Sequence, residues 1–298
     1  MTKPFDFPLF VLSQVNYISN RAIVPIPSFI PEIPCTIADP VFNGYWDRVK
    51  AHTYLDAYKA KRVWDLAVEA KDLEGDFIEC GSHQGGLGFL LGFFIRHFGL
   101  KKRVFLCDSF EGLPEPNPNF DSYYRKGMLT SDFEKCLAFI RDEGLQNEVE
   151  VMPGWFEETL PEVSISRSFS LVHIDCDIYD STRTCLENLY PRASAKAPVI
   201  FDDFYVPPPG ERLAAWEWIS QSKETLEVGP LSQVYLRKGV RVSDPQWIVR
   251  DQDGRELSIR ELSENRPYQE FLGAVLERLQ TEKENLKNLL IRLNPLAR

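Results

Sequence analysis

The chain has 298 residues with a formal net charge of −10, and 44% of them are hydrophobic and 26% charged. This acidic balance, with a pI of about 5.1, argues against nucleic acid as a partner, because no Lys/Arg-rich run offsets it. No apolar run reaches the ~18 residues of a membrane span, and the opening MTKPFDFPLF lacks the basic segment and apolar core of an export signal.

Residues 1–72 are predicted to form an N-terminal arm and a helix. Prolines and aromatic residues are frequent in 1–44, and they exclude a long helix or a central strand there. The prolines are Pro25, Pro27, Pro31, Pro34 and Pro40. We expect this arm to pack on the main domain or to fold over its cleft. From Tyr45 to Leu73 apolar residues recur near a spacing of 3.6, which predicts a helix that Gly75 ends.

Strand-like and helix-like segments alternate through residues 73–240. The predicted strands are Phe77–Cys80, Arg103–Cys107, Glu148–Met152, Phe169–Ile174 and Val199–Phe201, followed by an antiparallel pair, Thr225–Val228 and Gln233–Arg237. The predicted helices are Gly86–Phe98, Ser131–Glu143, Asp180–Leu189 and Glu211–Ser222. This alternation predicts an α/β fold in which helices cover both faces of a mostly parallel sheet.

Residues 241–298 have a different character. Trp247–Val249 and Leu257–Ile259 flank a turn and predict a small hairpin, and a helix is predicted from Pro267 to about Leu293. Apolar residues of that helix step by four and three, the heptad rhythm. Two interpretations remain open, a helix that lies on its own domain and a helix pair that makes the protein a homodimer.

The cysteines are Cys35, Cys80, Cys107, Cys136, Cys176 and Cys185. They form no CxxC pair, and three of them lie in or beside predicted buried strands, where cysteine acts as a small core residue. This pattern favours a reducing, cytoplasmic setting.

A glycine-containing loop, Glu79-Cys80-Gly81-Ser82-His83-Gln84-Gly85-Gly86, joins the first strand to the first helix. In a parallel α/β sheet such a loop and the helix N-terminus face the ligand crevice, and glycines let a ligand approach the backbone. Neither the GxGxxG pattern nor the GxxxxGK[ST] loop is present. A plain strand–helix turn is the alternative. His83 is a candidate contact on the cofactor side.

Two later strand ends support a nucleoside cofactor. Asp108 follows the second strand, where an acid can accept hydrogen bonds from both ribose hydroxyls. Its alternative role is to cap the turn 109–112. After the third strand, Gly154-Trp155 offers a turn and a ring beside the expected adenine position, although Trp155 can also be a core residue.

Two acidic pairs follow neighbouring strands. Asp175-Cys176-Asp177 comes directly after the strand that ends at Ile174, and Asp202-Asp203 follows the next strand, about one βα unit later. Four carboxylates in one cleft repel one another unless a cation or a proton lies among them. The alternative is that these acids cap the following loops and helices. His173, inside an apolar strand, is expected to be a hydrogen-bonded core or cleft histidine rather than a base.

Six segments in this order closely resemble the macrocin/mycinamicin-type sugar O-methyltransferases: DFIECGSHQGG, FLCDSFEGLPEP, GWFEETLP, HIDCDIYDST, ENLYP and VIFDDF. These are metal-dependent S-adenosylmethionine (SAM) enzymes of natural-product biosynthesis. The resemblance runs from about Leu73 to Gly239. It implies a Rossmann-like class I methyltransferase fold whose seven-stranded, mostly parallel sheet has the order 3-2-1-4-5-7-6. Cys176 departs from the glycine that family members commonly carry between the two aspartates.

The resemblance also implies roles for the acids. Asp175, Asp202 and Asp203 are expected to hold Mg²⁺ or another divalent cation, for which carboxylate oxygens are suitable ligands. Asp175 and Asp177 are the expected catalytic residues, with Asp177 as the general base. The expected cofactor contacts are Glu79, Gly81, Ser82, Gly85, Asp108, Ser109, Gly154, Trp155 and Asp175.

These roles predict an O-methyltransferase for a sugar-bearing or polyhydroxylated small molecule with vicinal hydroxyls. A bound cation makes a hydroxyl more acidic, and alignment of oxygen, methyl carbon and sulfur promotes transfer. The arm, with Tyr45 and Trp46 behind it, is expected to supply acceptor contacts. Two alternatives remain: a glycosyltransferase that uses Asp175-Cys176-Asp177 as its DxD motif, and a non-catalytic binding or assembly module.

Overall fold

The computed structural model describes residues 37–204, 210–222, 224, 226–228, 233–240, 249–250 and 256–257. The chain divides into two compact units, one of residues 36–247 and one that joins 1–35 to 248–298. The first unit contains the sheet and the cleft described below.

The sheet of the first unit has seven strands in the order β3-β2-β1-β4-β5-β7-β6. The strands are β1 Asp76–Cys80, β2 Val104–Asp108, β3 Val149–Pro153, β4 Phe169–Ile174, β5 Pro198–Phe201, β6 Leu226–Val228 and β7 Val234–Arg237. β1 to β5 are parallel, and β7 runs antiparallel to β5 and β6. The predicted fold and strand order are confirmed.

Helices pack on both faces of the sheet. They are α1 Pro40–Val49, α2 Ala57–Ala70, α3 Gly86–His97, α4 Phe133–Asp142, α5 Phe156–Ser164, α6 Tyr179–Leu189 and α7 Gly210–Ser222. Alternate residues of β1 enter different cores, since Phe77 belongs to the cluster with α1 to α4 and Ile78 to the cluster with α5 to α7. This period of two is what a strand buried on both faces requires.

The single helix predicted over 45–73 is wrong, because the structure has two helices there. The first begins earlier, at Pro40, where the Asp39 carboxylate accepts hydrogen bonds from the amides of Val41 and Phe42 at 3.1 and 3.0 Å. The second begins after Asp56, whose carboxylate accepts from the Tyr58 amide at 2.7 Å. The helical spacing misled because both helices bury apolar faces in one cluster.

The second unit contains β8 Val249–Arg250 and β9 Glu256–Leu257, which pair antiparallel where the sequence predicts a hairpin. The C-terminal helix predicted from Pro267 lies outside the described residues, as does most of the N-terminal arm. The boundaries at 72 and 240 stay predictions. Among the described helices, none has both the length and the apolar character needed to cross a bilayer.

Candidate active site

A cleft opens at the carboxyl ends of β1, β2, β4 and β5. It brings together almost all of the predicted site residues with several that the sequence did not indicate. Its lining includes Lys59, Glu79, Gly81, Ser82, His83, Asp108, Ser109, Gly154, Trp155, Asp175, Asp177, Asp202 and Asp203. Ligands of parallel α/β sheets bind at this edge. Of the predicted set, Gly85 is not part of the lining. It lies one residue before α3, with φ of +89°.

The glycine loop is shaped by contacts within the protein. Gly81 has φ of +85°, and a Cβ built on it would lie 1.7 Å from the carbonyl oxygen of Asp175. A Cβ on Gly85 would lie 2.6 Å from the ring of Phe89. The sequence predicts that these glycines admit a ligand, but the structure shows that contacts within the protein already require glycine at both positions. They let the loop lie against β4 and α3.

Asp108 ties the glycine loop to the end of β2. Its two carboxylate oxygens accept hydrogen bonds from the amides of His83 and Phe110, both at 2.7 Å. Burial raises the pKa of Asp108, and these two hydrogen bonds oppose the rise. Capping of the turn, the alternative role, is therefore present through Phe110. Each oxygen still has a second lone pair that can accept a ribose hydroxyl.

Glu79 and Ser82 carry polar atoms that fit a polar cofactor. Glu79 is 1% exposed. Within the described part of the chain, its Oε2 and the Ser82 hydroxyl have no hydrogen-bond partner. Buried polar atoms are costly without partners, and both side chains line the cleft.

Trp155 also faces the cleft. It is half-buried and belongs to neither buried apolar cluster, which argues against the core alternative. The amide of Gly154 donates to the carbonyl of Asp108 at 2.9 Å and so holds this turn beside Asp108. The Ser109 side chain bonds within its own turn, since its hydroxyl donates to the Gly112 carbonyl at 2.8 Å.

The predicted metal ligands converge. Asp175, Asp202 and Asp203 each offer one carboxylate oxygen, and these oxygens lie within 4.8 Å of one another. Three carboxylates at this separation match the hard-oxygen donor set that Mg²⁺ prefers. The residues present therefore fit a divalent cation.

Asp177 lies beside this cluster in a left-handed backbone conformation, with φ of +62°. It does not cap α6 as the alternative interpretation has it. The amide of Tyr179 at that helix start donates to Asp121 at 3.1 Å instead. Asp177 Oδ1 accepts a hydrogen bond from the Tyr124 hydroxyl at 2.6 Å. The carboxylate is thus positioned in the cleft by its own backbone and by a tyrosine of the β2–α4 loop.

Lys59 is the principal site residue that the sequence reasoning missed. Its ammonium donates to Asp202 Oδ2 and, at 3.1 Å, to Asp203 Oδ1. Burial lowers the pKa of Lys59, but the nearby carboxylates outweigh burial and hold the pKa above its ordinary value. The sequence did contain a signal for this residue. Lys59 lies four residues before Val63 and so shares the apolar face of α2, where a lysine is expected to be buried and paired.

His173 lies between two acids. Its β4 position faces Glu79 of β1 in the register. Its Nδ1 is 3.5 Å from Glu79 Oε1, and its Nε2 is 3.4 Å from Asp202 Oδ1. Burial lowers the pKa of His173, but the neighbouring carboxylates of Asp202 and Glu79 raise it overall to about 9. The expected hydrogen-bonded core histidine also links Glu79 at the end of β1 to the aspartate cluster.

The remaining carboxylates are crowded. Burial, followed by the charges of Asp202 and Asp203, raises the pKa of Asp175 well above its ordinary value. Burial and then the charge of Asp203 raise the pKa of Asp177 to about 7. The same two causes raise the pKa of Glu211, whose Oε1 accepts from the Asp203 amide at 2.9 Å. The cluster is short of positive charge, which a divalent cation supplies.

The family profile described as macrocin-O-methyltransferase (TylF) matches residues 51–234, more than half of the chain. The chain belongs to this family. Its cleft, with an acid at the ends of β1 and β2 and an aspartate cluster at β4 and β5, lies within the matched residues. The resemblance seen in the sequence is confirmed, and so is the enzyme class, a SAM-dependent O-methyltransferase.

Three relatives of known activity are similar to this chain. An 8-demethyl-8-(2,3-dimethoxy-α-L-rhamnosyl)-tetracenomycin-C 4'-O-methyltransferase of Streptomyces olivaceus is 34% identical over 57% of this chain and 69% of its own length. The demethyldecarbamoylnovobiocin O-methyltransferase of Streptomyces niveus is 31% identical over 53% of this chain and 64% of its own. The mycinamicin III 3''-O-methyltransferase of Micromonospora griseorubida is 28% identical over 53% and 66%.

Solved structures agree with the fold. The O-methyltransferase NovP superposes with a TM-score of 0.57 and is 27% identical, with 64% of this chain and 83% of NovP covered. The calicheamicin methyltransferase CalS11 superposes with a TM-score of 0.54 over 72% of this chain and 97% of its own, and at 19% identity it supports the fold alone.

Proposed function

We propose that this family member transfers the methyl group of SAM to a hydroxyl of a sugar-bearing or polyhydroxylated small molecule in natural-product biosynthesis, with Mg²⁺ or another divalent cation. The observation that carries the proposal is the convergence of Asp175, Asp202 and Asp203 beside the cofactor loop. Acceptors named for the relatives include a rhamnosyl tetracenomycin and mycinamicin III, which supports a glycosylated acceptor. The same relatives favour methyl transfer over the glycosyl transfer that a DxD motif also allows.

The cation, when bound, supplies positive charge that makes an acceptor hydroxyl a stronger acid. Asp175, Asp202 and Asp203 would hold it, and two neighbouring hydroxyls of the acceptor suit the positions that three carboxylates leave open. A vicinal diol is therefore the acceptor group that we expect.

Asp177 is the residue that we assign to proton transfer. Its carboxylate points into the cleft two residues beyond Asp175, so it can accept the proton of the acceptor hydroxyl as the oxygen attacks the methyl carbon. Tyr124 holds one oxygen of Asp177 through its hydroxyl, which leaves the other oxygen for the acceptor. The glycine loop, Asp108 and Trp155 would orient the methyl donor, because transfer requires an in-line approach.

The substitution Asp175→Asn tests this proposal. It removes one ligand charge, and we expect a fall in kcat of ~10³-fold, with affinity for S-adenosylhomocysteine nearly unchanged by calorimetry. Asp180→Asn, an exposed acid in the first turn of α6, is the matched control and should keep full activity. Chelation with EDTA should stop turnover, and added Mg²⁺ should restore it. Normal turnover of Asp175→Asn, or in EDTA, would sink the metal assignment.

We further expect a cytoplasmic homodimer that binds neither nucleic acid nor membrane. The heptad rhythm of 267–293 supports the dimer, and the net charge of −10 argues against nucleic acid. Sedimentation of the full chain across a range of concentrations measures the oligomeric state. A monomer at all concentrations would contradict the dimer.

A further inference from the structure

Lys59 is a buried cation at the centre of the proposed metal site. The residue is 8% exposed, in the first turns of α2, and its ammonium contacts carboxylates of both Asp202 and Asp203. A lysine at 8% exposure loses hydration, which its ion pairs with two acids compensate. Lys61, two residues later, serves a different purpose, since its ammonium lies 2.5 Å from Asp65 of the same helix and 3.5 Å from Asp39.

The contacts of Asp202 divide between its two oxygens. Oδ1 accepts a hydrogen bond from the Gln233 side chain at 2.8 Å and lies 3.4 Å from His173 Nε2. Oδ2 is the oxygen that Lys59 contacts. A cation shared by Asp202, Asp203 and Asp175 would therefore approach from the side where the ammonium lies. Lys59 and a divalent cation would compete for the same carboxylate oxygens.

We propose that Lys59 is the counter-ion of Asp202 and Asp203 in the metal-free protein, and that a divalent cation displaces its ammonium on binding. Two like charges within a few ångströms repel strongly in a poorly hydrated site, so both cannot contact the same oxygens at full strength. The flexible four-carbon stem of lysine lets the ammonium swing away while α2 stays in place. The inference rests on the proposed function, because the cation site is the one assigned there.

Displacement has two consequences. In the absence of metal, Lys59 stabilises the crowded acids that would otherwise repel one another, so the fold does not depend on the cation. In its presence, part of the binding free energy is spent on moving the ammonium, so the affinity for the cation is lowered.

Binding of Mn²⁺ alone, measured by calorimetry and by thermal unfolding, tests the displacement. The variant Lys59→Met keeps the length of the side chain and removes its charge. We expect it to bind Mn²⁺ at least tenfold more tightly than the wild type, to melt at a lower temperature in EDTA, and to gain more stability from Mn²⁺. Lys61→Met removes a charge from the same helix and should bind Mn²⁺ as the wild type does. Unchanged or weaker binding by Lys59→Met overturns the proposal.

A second measurement does not depend on that variant folding. A crystal of the wild type soaked in Mn²⁺ should show the ammonium withdrawn from both carboxylates, and an ammonium still bound to both beside the ion overturns the proposal. Failure of the proposed function is distinguishable. If the wild type binds Mn²⁺ with the ammonium withdrawn but turns over normally in EDTA, displacement is supported and metal dependence of the enzyme fails. If neither the wild type nor Lys59→Met binds Mn²⁺, both fail.

Discussion

The cleft has two halves, the cofactor half around Asp108 and the acidic half around Asp202 and Asp177. The carboxylates of the two halves are held by different kinds of hydrogen-bond partner. On the cofactor half, Asp108 is held by backbone amides of loops that flank it. On the acidic half, Asp202 and Asp177 are held by side chains from remote segments, namely Lys59, Gln233 and Tyr124. Backbone amides do not change with the residue type, but side-chain partners do. The cofactor half therefore depends on loop geometry, and the acidic half on the identity of a few charged and polar residues.

The electrostatics of the two halves differ in the same sense. Burial is the largest cause of the raised pKa of Asp108, and amides counteract it. For Asp175 the neighbouring carboxylates add to burial instead of opposing it. Repulsion of this kind is relieved by a cation and not by a change in the loop backbone. Substitutions that alter geometry should damage the first half most, and substitutions that alter charge should damage the second.

The largest effect is expected from Gly81→Ala, which tests the dependence on geometry. The added Cβ would lie 1.7 Å from the Asp175 carbonyl, and φ of +85° disfavours alanine. We expect the free energy of unfolding to fall by ~4 kcal/mol or more, and binding of S-adenosylhomocysteine to be lost. Denaturant unfolding and calorimetry measure both.

Gly99→Ala is the control for that substitution. Gly99 has φ of +60°, but a Cβ there would meet nothing within 4 Å. A left-handed alanine should cost ~1–2 kcal/mol without loss of the cofactor. Equal losses in the two variants would show that backbone strain alone, rather than the close approach to β4, explains the glycine.

The next largest effect is expected from Asp177→Asn, which tests the dependence on charge. If Asp177 takes the acceptor proton, kcat should fall by ~10²–10⁴-fold, while affinity for S-adenosylhomocysteine and for Mn²⁺ changes little. Tyr124→Phe, which removes the hydrogen bond and keeps the acid, should lower kcat far less. Comparable losses of kcat in the two variants would mean that the orientation of the carboxylate matters more than its basicity.

The sequence predicts the residues at strand ends, but it does not predict the side-chain partners that come from remote segments. Asp108, Asp175 and Asp202 were found because each ends or directly follows a strand, and the ends of parallel strands meet at one edge. The strand order was implied by the family segments, and the structure has it. Lys59 was missed because its place on the apolar face of α2 indicates burial but not its acidic partner, which is 143 residues away. The break between α1 and α2 was missed because the apolar spacing continues across it.

A smaller effect is expected from Asp121→Ala, because this acid supports the cleft without lining it. Asp121 is 1% exposed, and it accepts from the amides of Asn117 and Tyr179, both at 3.1 Å. Loss of both bonds should lower the free energy of unfolding by ~1–3 kcal/mol. Because Tyr124 lies on the same loop and holds Asp177, kcat should also fall, by no more than in Tyr124→Phe. Denaturant unfolding measures the loss of stability, and steady-state kinetics measure kcat.

Asp121→Asn is the matched control, since its amide oxygen can still accept a bond. A Cβ on Gly210 would lie 1.7 Å from Asp121 Oδ1, so little room exists for a larger side chain here. We expect Asn to recover most of the stability and of kcat. If Asn is as damaging as Ala, the negative charge of Asp121 matters and the acidic half extends into this loop.

The smallest effect is expected from Cys176→Gly, although this residue lies between Asp175 and Asp177. Cys176 is 3% exposed, and its sulfur lies 3.7 Å from that of Cys185 within the apolar cluster of β4 and α6. The side chain packs below the acids instead of joining them, so glycine should cost ~1 kcal/mol in unfolding free energy and leave kcat within a factor of about two. A large loss of kcat without a loss of stability would show that the Cys176 thiol contributes to turnover together with the carboxylates of the acidic half. That half would then depend on more than charge, because a neutral side chain in the loop after β4 would be setting the separation of the carboxylates on either side of it.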